Sequence, residues 1–169
     1  MTKHRKSDII SGMKTFISKS PEETINYALD FASHLQGGEV LALHGDLGSG
    51  KTTFTKGLAE GLKINDIITS PTFVILKEYA FRHAILRPKD NLVGCRNMVR
   101  RFIHIDAYRA ESIEDIKSVG IEDYLDRSDV VLVIEWAEKI KDILPENVIN
   151  IYFSQGKENE RKIQVDSSN

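Results

Sequence analysis

Short apolar runs alternate with amphipathic stretches along this chain, a pattern that predicts strands alternating with helices. The run from Val130 to Ile134 is the most apolar and the most β-branched, which is typical of a central strand buried on both faces. Further strands are predicted at residues 14–18, 39–44, 73–80 and 101–106, and an antiparallel pair at 148–153 and 161–165.

Capping residues and a helical period predict the helices between these strands. Ser20 can cap a helix that starts at Pro21, Glu23 can complete a capping box, and the apolar face runs to Gln36 before two glycines. Further helices are predicted at residues 52–62, 112–119, 121–126 and 137–143. This order predicts a three-layer α/β fold, in which a mainly parallel sheet carries antiparallel strands at its edge.

A phosphate-binding signature lies between the strand at 39–44 and the helix at 52–62. Residues 45–52, Gly-Asp-Leu-Gly-Ser-Gly-Lys-Thr, match the P-loop pattern G-x-x-x-x-G-K-[ST]. In such a loop the backbone N–H groups face an anion, the lysine reaches the β- and γ-phosphates, and the following hydroxyl binds Mg²⁺. We therefore predict a P-loop NTPase fold with nucleotide contacts from Asp46, Leu47, Gly48, Ser49, Gly50, Lys51, Thr52 and Thr53.

Two carboxylates follow predicted strands and are expected at the edge of the sheet where ligands bind. Glu135 follows the most apolar run, which is the Walker B pattern, and Asp106 ends the strand at 101–106. One could hold Mg²⁺ with the P-loop threonine while the other orients an attacking water, and the sequence leaves this assignment open. We expect catalytic roles for both carboxylates and for Lys51. The strand histidines, His44 and His104, are interpreted as core or supporting residues rather than bases.

The composition is that of an ordinary globular protein. Of 169 residues, 41% are hydrophobic and 28% are charged, which argues against a disordered or fibrous chain, and the length predicts one domain spanning residues 1–169. No apolar run is long enough to span a membrane, and the basic N-terminus lacks the apolar core of a signal peptide. The single Cys95 cannot form an internal disulfide, which suits a reducing compartment, so a cytoplasmic location is expected.

A basic segment interrupts the otherwise acidic chain. Between Phe81 and Arg101 there are six Lys or Arg residues and one Asp, in a chain whose net charge is −2. The segment has no clear period and contains Pro88 and Gly94, which predicts a long loop or insertion. Such a patch is consistent with contact to nucleic acid or an acidic partner, and equally with a solvated loop.

Five motifs follow one another along the chain. They are GDLGSGKTT at 45–53, SPTF at 70–73, HIDAYR at 104–109, VGIEDYL at 119–125 and IEWAE at 134–138. No Asn-Lys-x-Asp sequence, which would recognise guanine, is present. Together the motifs resemble the bacterial TsaE (YjeE) family of P-loop ATPases, and the resemblance runs from about Ser20 to Val165.

The resemblance implies an ATPase subunit that helps to make threonylcarbamoyladenosine, the modified base beside the anticodon of many tRNAs. TsaE-like proteins act with TsaB and TsaD, of which TsaD transfers the threonylcarbamoyl group, and their ATPase is expected to be weak without these partners. The tRNA would be met indirectly, through the complex. By the same resemblance, Thr52 and Glu135 bind Mg²⁺, Asp106 is required for function, and Trp136 lies near the nucleotide and partner face. The segment around Ser20 to Thr24 matches the family region that lies by the adenine.

The basic segment is a departure from the family pattern. In typical members a short hairpin leads from Ser-Pro-Thr to H-x-D-x-Y-R, whereas this connection is much longer here. The segment could extend a tRNA or partner surface, or be a tolerated insertion. Two other functions are compatible with a P-loop. A small-molecule or nucleoside kinase would transfer phosphate to an acceptor other than water, and in a switch protein ATP occupancy alone would regulate a complex.

Overall fold

Seven strands and four α-helices form the described part of the chain. The computed structural model describes residues 12–64, 66–71, 75–80, 99–157 and 160–167. The strands are β1 (Met13–Ser18), β2 (Val40–His44), β3 (Leu76–Ala80), β4 (Arg101–Asp106), β5 (Val130–Glu135), β6 (Ile149–Gln155) and β7 (Arg161–Asp166). The helices are α1 (Pro21–Ala32), α2 (Lys51–Gly61), α3 (Ile113–Ser118) and α4 (Glu122–Leu125), and 3₁₀ turns span Ala107–Arg109, Ala137–Lys139 and Lys141–Ile143.

The seven strands form one sheet in the order β1-β7-β6-β2-β5-β4-β3. The four central strands, β6, β2, β5 and β4, are parallel to one another. At one edge β7 and β1 add antiparallel pairs, and at the other edge β3 runs antiparallel to β4. The predicted α/β fold with a mainly parallel core and antiparallel edge strands is therefore confirmed.

Helical elements cover both faces of the central strands. In β5, Val131 and Val133 pack in the cluster that includes α1 and α2, whereas Leu132 and Ile134 pack on the opposite face with α3 and the turns after β5. Because successive side chains of a strand point to opposite faces, a strand covered on both sides needs an apolar residue at every position. This explains the uninterrupted apolar run in the sequence and gives the fold its three layers.

Helix α1 begins as predicted and ends earlier than predicted. Ser20 caps it, since its Oγ accepts the N–H of Glu23 at 3.2 Å. The predicted capping box differs in one bond, because the Glu23 carboxylate accepts the N–H of Lys19, at 2.7 Å, rather than that of Ser20. The helix stops at Ala32 rather than Gln36. The carboxylate of Glu39 accepts the N–H groups of Gln36 and the following glycine at 2.7 and 2.8 Å, so these donors bond outside the helix.

The segment after β5 differs from the helix predicted at 137–143. It forms two 3₁₀ turns that meet at Ile140, whose φ of −130° lies outside the helical region. The Ile140 side chain is fully buried in the cluster on the α3 face of the sheet. The helical hydrogen bonding is thus interrupted at the residue whose side chain is buried in the core.

Strand β3 begins at Leu76, three residues after its predicted start. Residues 72–74 and 81–98, which include Cys95 and most of the basic segment, lie outside the described residues. The predictions made for that segment are therefore unchanged by the structure. Within the ranges that the structure does describe, no helix combines the length and apolar composition needed to cross a membrane.

Helix α2 lies directly against α1 through two glycines. A Cβ at Gly57 would lie 2.5 Å from the backbone oxygen of Ile25 and 2.7 Å from the Cβ of Ala28. A Cβ at Gly61 would lie 2.6 Å from the Cβ of Ala32. Since dispersion contacts between carbon atoms are optimal near about 3.5–4.0 Å, these helices can approach so closely only where α2 carries glycine. The contact holds the helix that follows the P-loop.

We expect Gly57→Ala to lower the free energy of unfolding by about 1–3 kcal/mol, because its methyl group would overpack the α1 backbone. This clash must outweigh the helix propensity, which favours Ala over Gly by about 1 kcal/mol. Urea unfolding followed by circular dichroism measures the change. Glu60→Ala, at an exposed position of the same helix, is the matched control and should shift stability by less than about 0.5 kcal/mol. An equally or more stable Gly57→Ala protein would contradict the close packing.

Candidate functional site

The P-loop joins β2 to α2 at the C-terminal edge of the parallel strands. Gly45, Gly48 and Gly50 have positive φ angles of 136°, 75° and 108°. A Cβ at Gly45 would lie 2.3 Å from the backbone oxygen of Phe153 on β6, so only glycine fits there. Helix α2 begins at Lys51, which places the positive end of its dipole at the loop. The loop therefore has the backbone geometry and field of an anion site.

Lys51 folds back over the loop that precedes it. Its Nζ donates to the backbone oxygens of Gly45 at 2.5 Å and Asp46 at 2.9 Å, and lies 4.0 Å from the centre of the Trp136 ring. The residue is 4% exposed. This burial lowers the pKa of Lys51, while nearby carboxylates, first among them Glu135, act in the opposite direction. The ammonium group thus donates to backbone oxygens, and a phosphate group would compete with these oxygens for its hydrogen bonds.

Glu135 ends β5 as a buried carboxylate surrounded by donors. It is 2% exposed, and its Oε2 accepts the hydroxyl of Thr52 at 2.9 Å. Its Oε1 lies 2.9 Å from His104 Nε2 and 3.4 Å from Thr55 Oγ1. A buried carboxylate is tolerated only when it is paired or hydrogen-bonded, and the P-loop helix and β4 supply these bonds here. The structure thus brings the two predicted metal-binding residues into direct contact.

Asp106 lies beside Glu135 because β4 and β5 are parallel and pair these two residues. It is 3% exposed, and its Oδ1 accepts the N–H of Tyr108 at 3.0 Å, which caps the turn Ala107–Arg109. The hydroxyl of Ser70 donates to Oδ2. One oxygen therefore shapes the turn, while the other bonds to the segment that precedes β3.

Two aromatic rings form a wall of the site. Trp136 adopts a left-handed conformation, with φ 60° and ψ 41°, which is unusual for a bulky residue. Its ring centre lies 5.0 Å from that of Tyr108 and beneath the ammonium of Lys51. Lys139 donates to the backbone oxygens of Tyr108 and Ala110, the second at 3.1 Å. These bonds join the two turns that carry the rings.

A cavity of about 340 Å³ opens between the P-loop and the strand ends. This volume lies within the range of small-molecule sites. Most of the residues predicted to contact nucleotide or metal border it. The lining consists of Leu47, Gly48, Gly50, Lys51, Thr52, Thr53, Ser70, Asp106, Tyr108, Glu135 and Trp136.

Three residues predicted as nucleotide contacts do not line this cavity. Asp46 contributes a backbone oxygen to Lys51, and Ser49 is a buried loop residue whose Oγ lies 3.5 Å from the same ammonium. Thr24 is buried near the start of α1, where its hydroxyl lies 2.8 Å from that of Ser18. The place of Thr24 beside an adenine ring stays a prediction.

Ser70 and Tyr108 also line the cavity, and no residue pattern predicts this, although both stand within the SPTF and HIDAYR motifs. Both strand histidines, for which supporting roles are predicted, have polar partners. His104 contacts the Glu135 carboxylate, and His44 Nε2 lies 2.9 Å from Asn150 Oδ1 on β6. The sequence did not indicate either partner, because each lies on a different strand.

The oxygen donors suit a magnesium ion that takes few ligands from the protein. Thr52 Oγ1 and Glu135 Oε2 border the cavity 2.9 Å apart, and Asp106 ends the neighbouring strand. In the described part of the chain no three His, Cys, Asp or Glu side chains cluster around a possible metal position. Mg²⁺ usually keeps several waters and binds one or two carboxylates together with phosphate oxygens. A hydroxyl and one or two carboxylates therefore fit this ion.

Comparison with known proteins finds relatives along most of the chain. The family model for threonylcarbamoyl adenosine biosynthesis protein TsaE matches residues 18–163. The tRNA threonylcarbamoyladenosine biosynthesis protein TsaE of Bacillus subtilis is 40% identical over 144 residues, which cover 85% of this chain and 79% of that protein. The protein of the same name from Treponema pallidum is 34% identical over 149 residues, covering 88% of this chain and 97% of that protein.

A solved structure shares the fold. The crystal structure of Bacillus subtilis YdiB matches with a TM-score of 0.68 and 32% identity, over 92% of this chain and 86% of that chain. These matches confirm the resemblance that the five motifs indicated, and the matched residues include the P-loop and both carboxylate-bearing strands. The chain therefore belongs to the TsaE family of threonylcarbamoyl adenosine biosynthesis proteins.

Proposed function

We propose that this protein is a Mg²⁺-dependent, ATP-binding and ATP-hydrolysing subunit that acts with TsaB and TsaD to form threonylcarbamoyladenosine in tRNA. Its family membership supports the pathway. The observation that best supports ATP chemistry is the 2.9 Å contact between the Thr52 hydroxyl and the Glu135 carboxylate beside the P-loop lysine. P-loop NTPases hold Mg²⁺ with such a hydroxyl and a carboxylate at a strand end.

Binding of the triphosphate would replace contacts that the loop makes with itself. Lys51 would exchange the backbone oxygens of Gly45 and Asp46 for phosphate oxygens. The N–H groups at the start of α2 would donate to the same phosphates. A charged acceptor forms stronger hydrogen bonds with an ammonium than a neutral carbonyl does, and the effect is larger at a buried site.

The two carboxylates would have different tasks. Thr52 and Glu135 would hold Mg²⁺, which neutralises charge that develops on the phosphates during hydrolysis. Glu135 already accepts bonds at both oxygens, which suits a ligand held in one position. Asp106 would orient the attacking water or couple hydrolysis to partner contacts, and its bond from the Tyr108 N–H holds the carboxylate in place.

The partner side of the site is proposed to include the aromatic wall. Tyr108 is 44% exposed at the cavity, and Trp136 stands next to it. Aromatic residues are enriched in protein interfaces relative to the rest of the surface. The tRNA would be met through the complex with TsaB and TsaD, and the protein would act in the cytoplasm.

The first test is ATP hydrolysis by the purified protein with Mg²⁺, alone and with TsaB, TsaD and tRNA. We expect slow turnover that rises several-fold with the partners. Lys51→Ala should reduce turnover by at least about 100-fold, because it removes a cation that stabilises developing charge. Lys56→Ala is the matched control, since it removes the same charge from an exposed position of α2. Its turnover should equal that of the wild type.

Three outcomes would overturn parts of this proposal. Normal turnover in Lys51→Ala would remove the P-loop from the chemistry. Phosphate appearing on a small acceptor, without stimulation by the partners, would indicate a kinase. A variant that binds ATP, does not hydrolyse it and still supports tRNA modification would indicate a switch.

The fluorescence of Trp136 should report nucleotide binding. It is the one tryptophan in the chain, and its ring centre lies 4.0 Å from the Lys51 ammonium. When phosphate draws that ammonium away, the surroundings of the indole change, so a non-hydrolysable ATP analogue should alter the emission saturably in wild type and in Lys56→Ala. In Lys51→Ala the response should vanish. An equal response in Lys51→Ala would show that the Lys51–Trp136 contact does not report binding.

Nucleotide binding should take up protons at alkaline pH. Burial lowers the pKa of Lys51 in the free protein, whereas a triphosphate beside the ammonium would raise it again. At alkaline pH part of the free protein would therefore hold neutral Lys51, which gains a proton when nucleotide binds. Calorimetry in two buffers of different ionisation enthalpy measures this uptake. It should disappear in Lys51→Arg and near pH 7, and an uptake independent of both would contradict the assignment.

A further inference from the structure

His104 occupies an apolar position of the sheet, and its ring has one polar contact within the described part of the chain. It lies on β4, is fully buried, and stands two residues before Asp106. Phe102, on the same face of β4, belongs to the core beneath α1 and α2. His104 Nε2 lies 2.9 Å from Glu135 Oε1, and its Nδ1 has no hydrogen-bond partner among the described residues. The imidazole therefore contacts the site through its hydrogen bond with the Glu135 carboxylate.

The geometry indicates which imidazole nitrogen carries the proton. A carboxylate oxygen at 2.9 Å from Nε2 must accept a hydrogen, so Nε2 is the N–H donor. A proton on Nδ1 would be a buried donor without an acceptor, which is costly. The neutral tautomer with hydrogen on Nε2 satisfies both conditions.

The two oxygens of Glu135 have separate surroundings. Oε1 faces His104 and Thr55, which do not border the cavity, whereas Oε2 accepts the hydroxyl of Thr52, which does. The last torsion of a glutamate side chain has a broad, roughly two-fold preference and does not select an orientation by itself. The single hydrogen of the Thr55 hydroxyl has a nearer acceptor in the backbone oxygen of Lys51, at 3.0 Å against 3.4 Å to Oε1. His104 is therefore the main donor at Oε1, and its bond favours the orientation in which Oε2 faces the cavity.

We propose that His104 is a positioning residue for the metal site: its Nε2–H holds Oε1 of Glu135, so that Oε2 and Thr52 Oγ1 present a preset pair of oxygens to Mg²⁺. This inference rests on the proposed function, because it concerns the same carboxylate. A positioning role for His104 can be told apart from a purely structural role by its effect on metal affinity. A structural histidine would contribute only to stability, whereas a positioning histidine contributes to metal affinity even in a fully folded protein.

The test compares His104→Leu with His104→Gln. Leucine fills similar space without a donor, while the glutamine amide can place an N–H near the position of Nε2. Mn²⁺ binding to the protein with a non-hydrolysable ATP analogue is followed by electron paramagnetic resonance. Loss of a residue that orients a metal ligand typically weakens metal affinity about 10- to 100-fold, so this is the effect expected of His104→Leu. His104→Gln should recover most of it, and binding of the analogue in EDTA should be unchanged in both.

A double variant tests whether His104 acts through Glu135. In a Glu135→Gln background, His104→Leu should weaken Mn²⁺ binding no further, because the carboxylate that it orients is gone. Equal Mn²⁺ affinity in wild type and a folded His104→Leu protein would overturn the inference. Equal losses in His104→Leu and His104→Gln, with matching losses of thermal stability, would also overturn it in favour of a structural role.

The wild-type protein offers a test that does not depend on the folding of variants. Nitrogen-15 NMR of the His104 ring should show the proton on Nε2, and the Nε2 resonance should shift when Mg²⁺ and the analogue bind. A proton on Nδ1 would overturn the inference. If wild-type protein binds the analogue equally with and without divalent metal, the proposed Mg²⁺–ATP function fails, whereas metal-dependent binding with an indifferent His104→Leu protein rejects this inference alone.

Discussion

The buried carboxylate of Glu135 is the constraint on which the site depends. A charged group at 2% exposure must be compensated by donors, and these come from α2 through Thr52 and from β4 through His104. To satisfy the carboxylate, the P-loop helix has to lie against the ends of β4 and β5. The bonds that make the charge tolerable therefore also place a hydroxyl and a carboxylate side by side, which is the arrangement that a magnesium site needs.

The register of the parallel strands determines which residues can meet at this edge. Asp106 pairs with Glu135 across β4 and β5, and Leu43, just before the P-loop, pairs with Glu135 across β2 and β5. The functional residues at the ends of β4 and β5 and the P-loop after β2 therefore lie next to one another, although they are far apart in the sequence. Helix α2, which carries Lys51 and Thr52, is held beside these strand ends by its close packing on α1 at Gly57.

Contacts within the protein hold the ammonium group of Lys51 between the P-loop and the aromatic wall. Lys51 bonds to backbone oxygens of its own loop and lies over Trp136, whose left-handed backbone turns the chain directly after β5. Such a backbone conformation costs on the order of 1–3 kcal/mol and persists only where the surroundings enforce it. The bonds from Lys139 to the turn of Tyr108 supply part of that support. A phosphate that attracts Lys51 would therefore also change the contact between this lysine and the Trp136 ring.

The order of strands and helices, the P-loop and local caps such as Ser20, whose Oγ accepts the N–H of Glu23, can be read from the sequence alone. These features depend on residues a few positions apart, so periodicity and spacing reveal them. Two other features arise only when the chain is folded: the contact between His104 and Glu135, and the two turns that residues 137–143 form around the buried Ile140. Each of these outcomes depends on burial or hydrogen bonding that involves side chains brought together by strand register and packing, and no local pattern in the chain encodes such contacts.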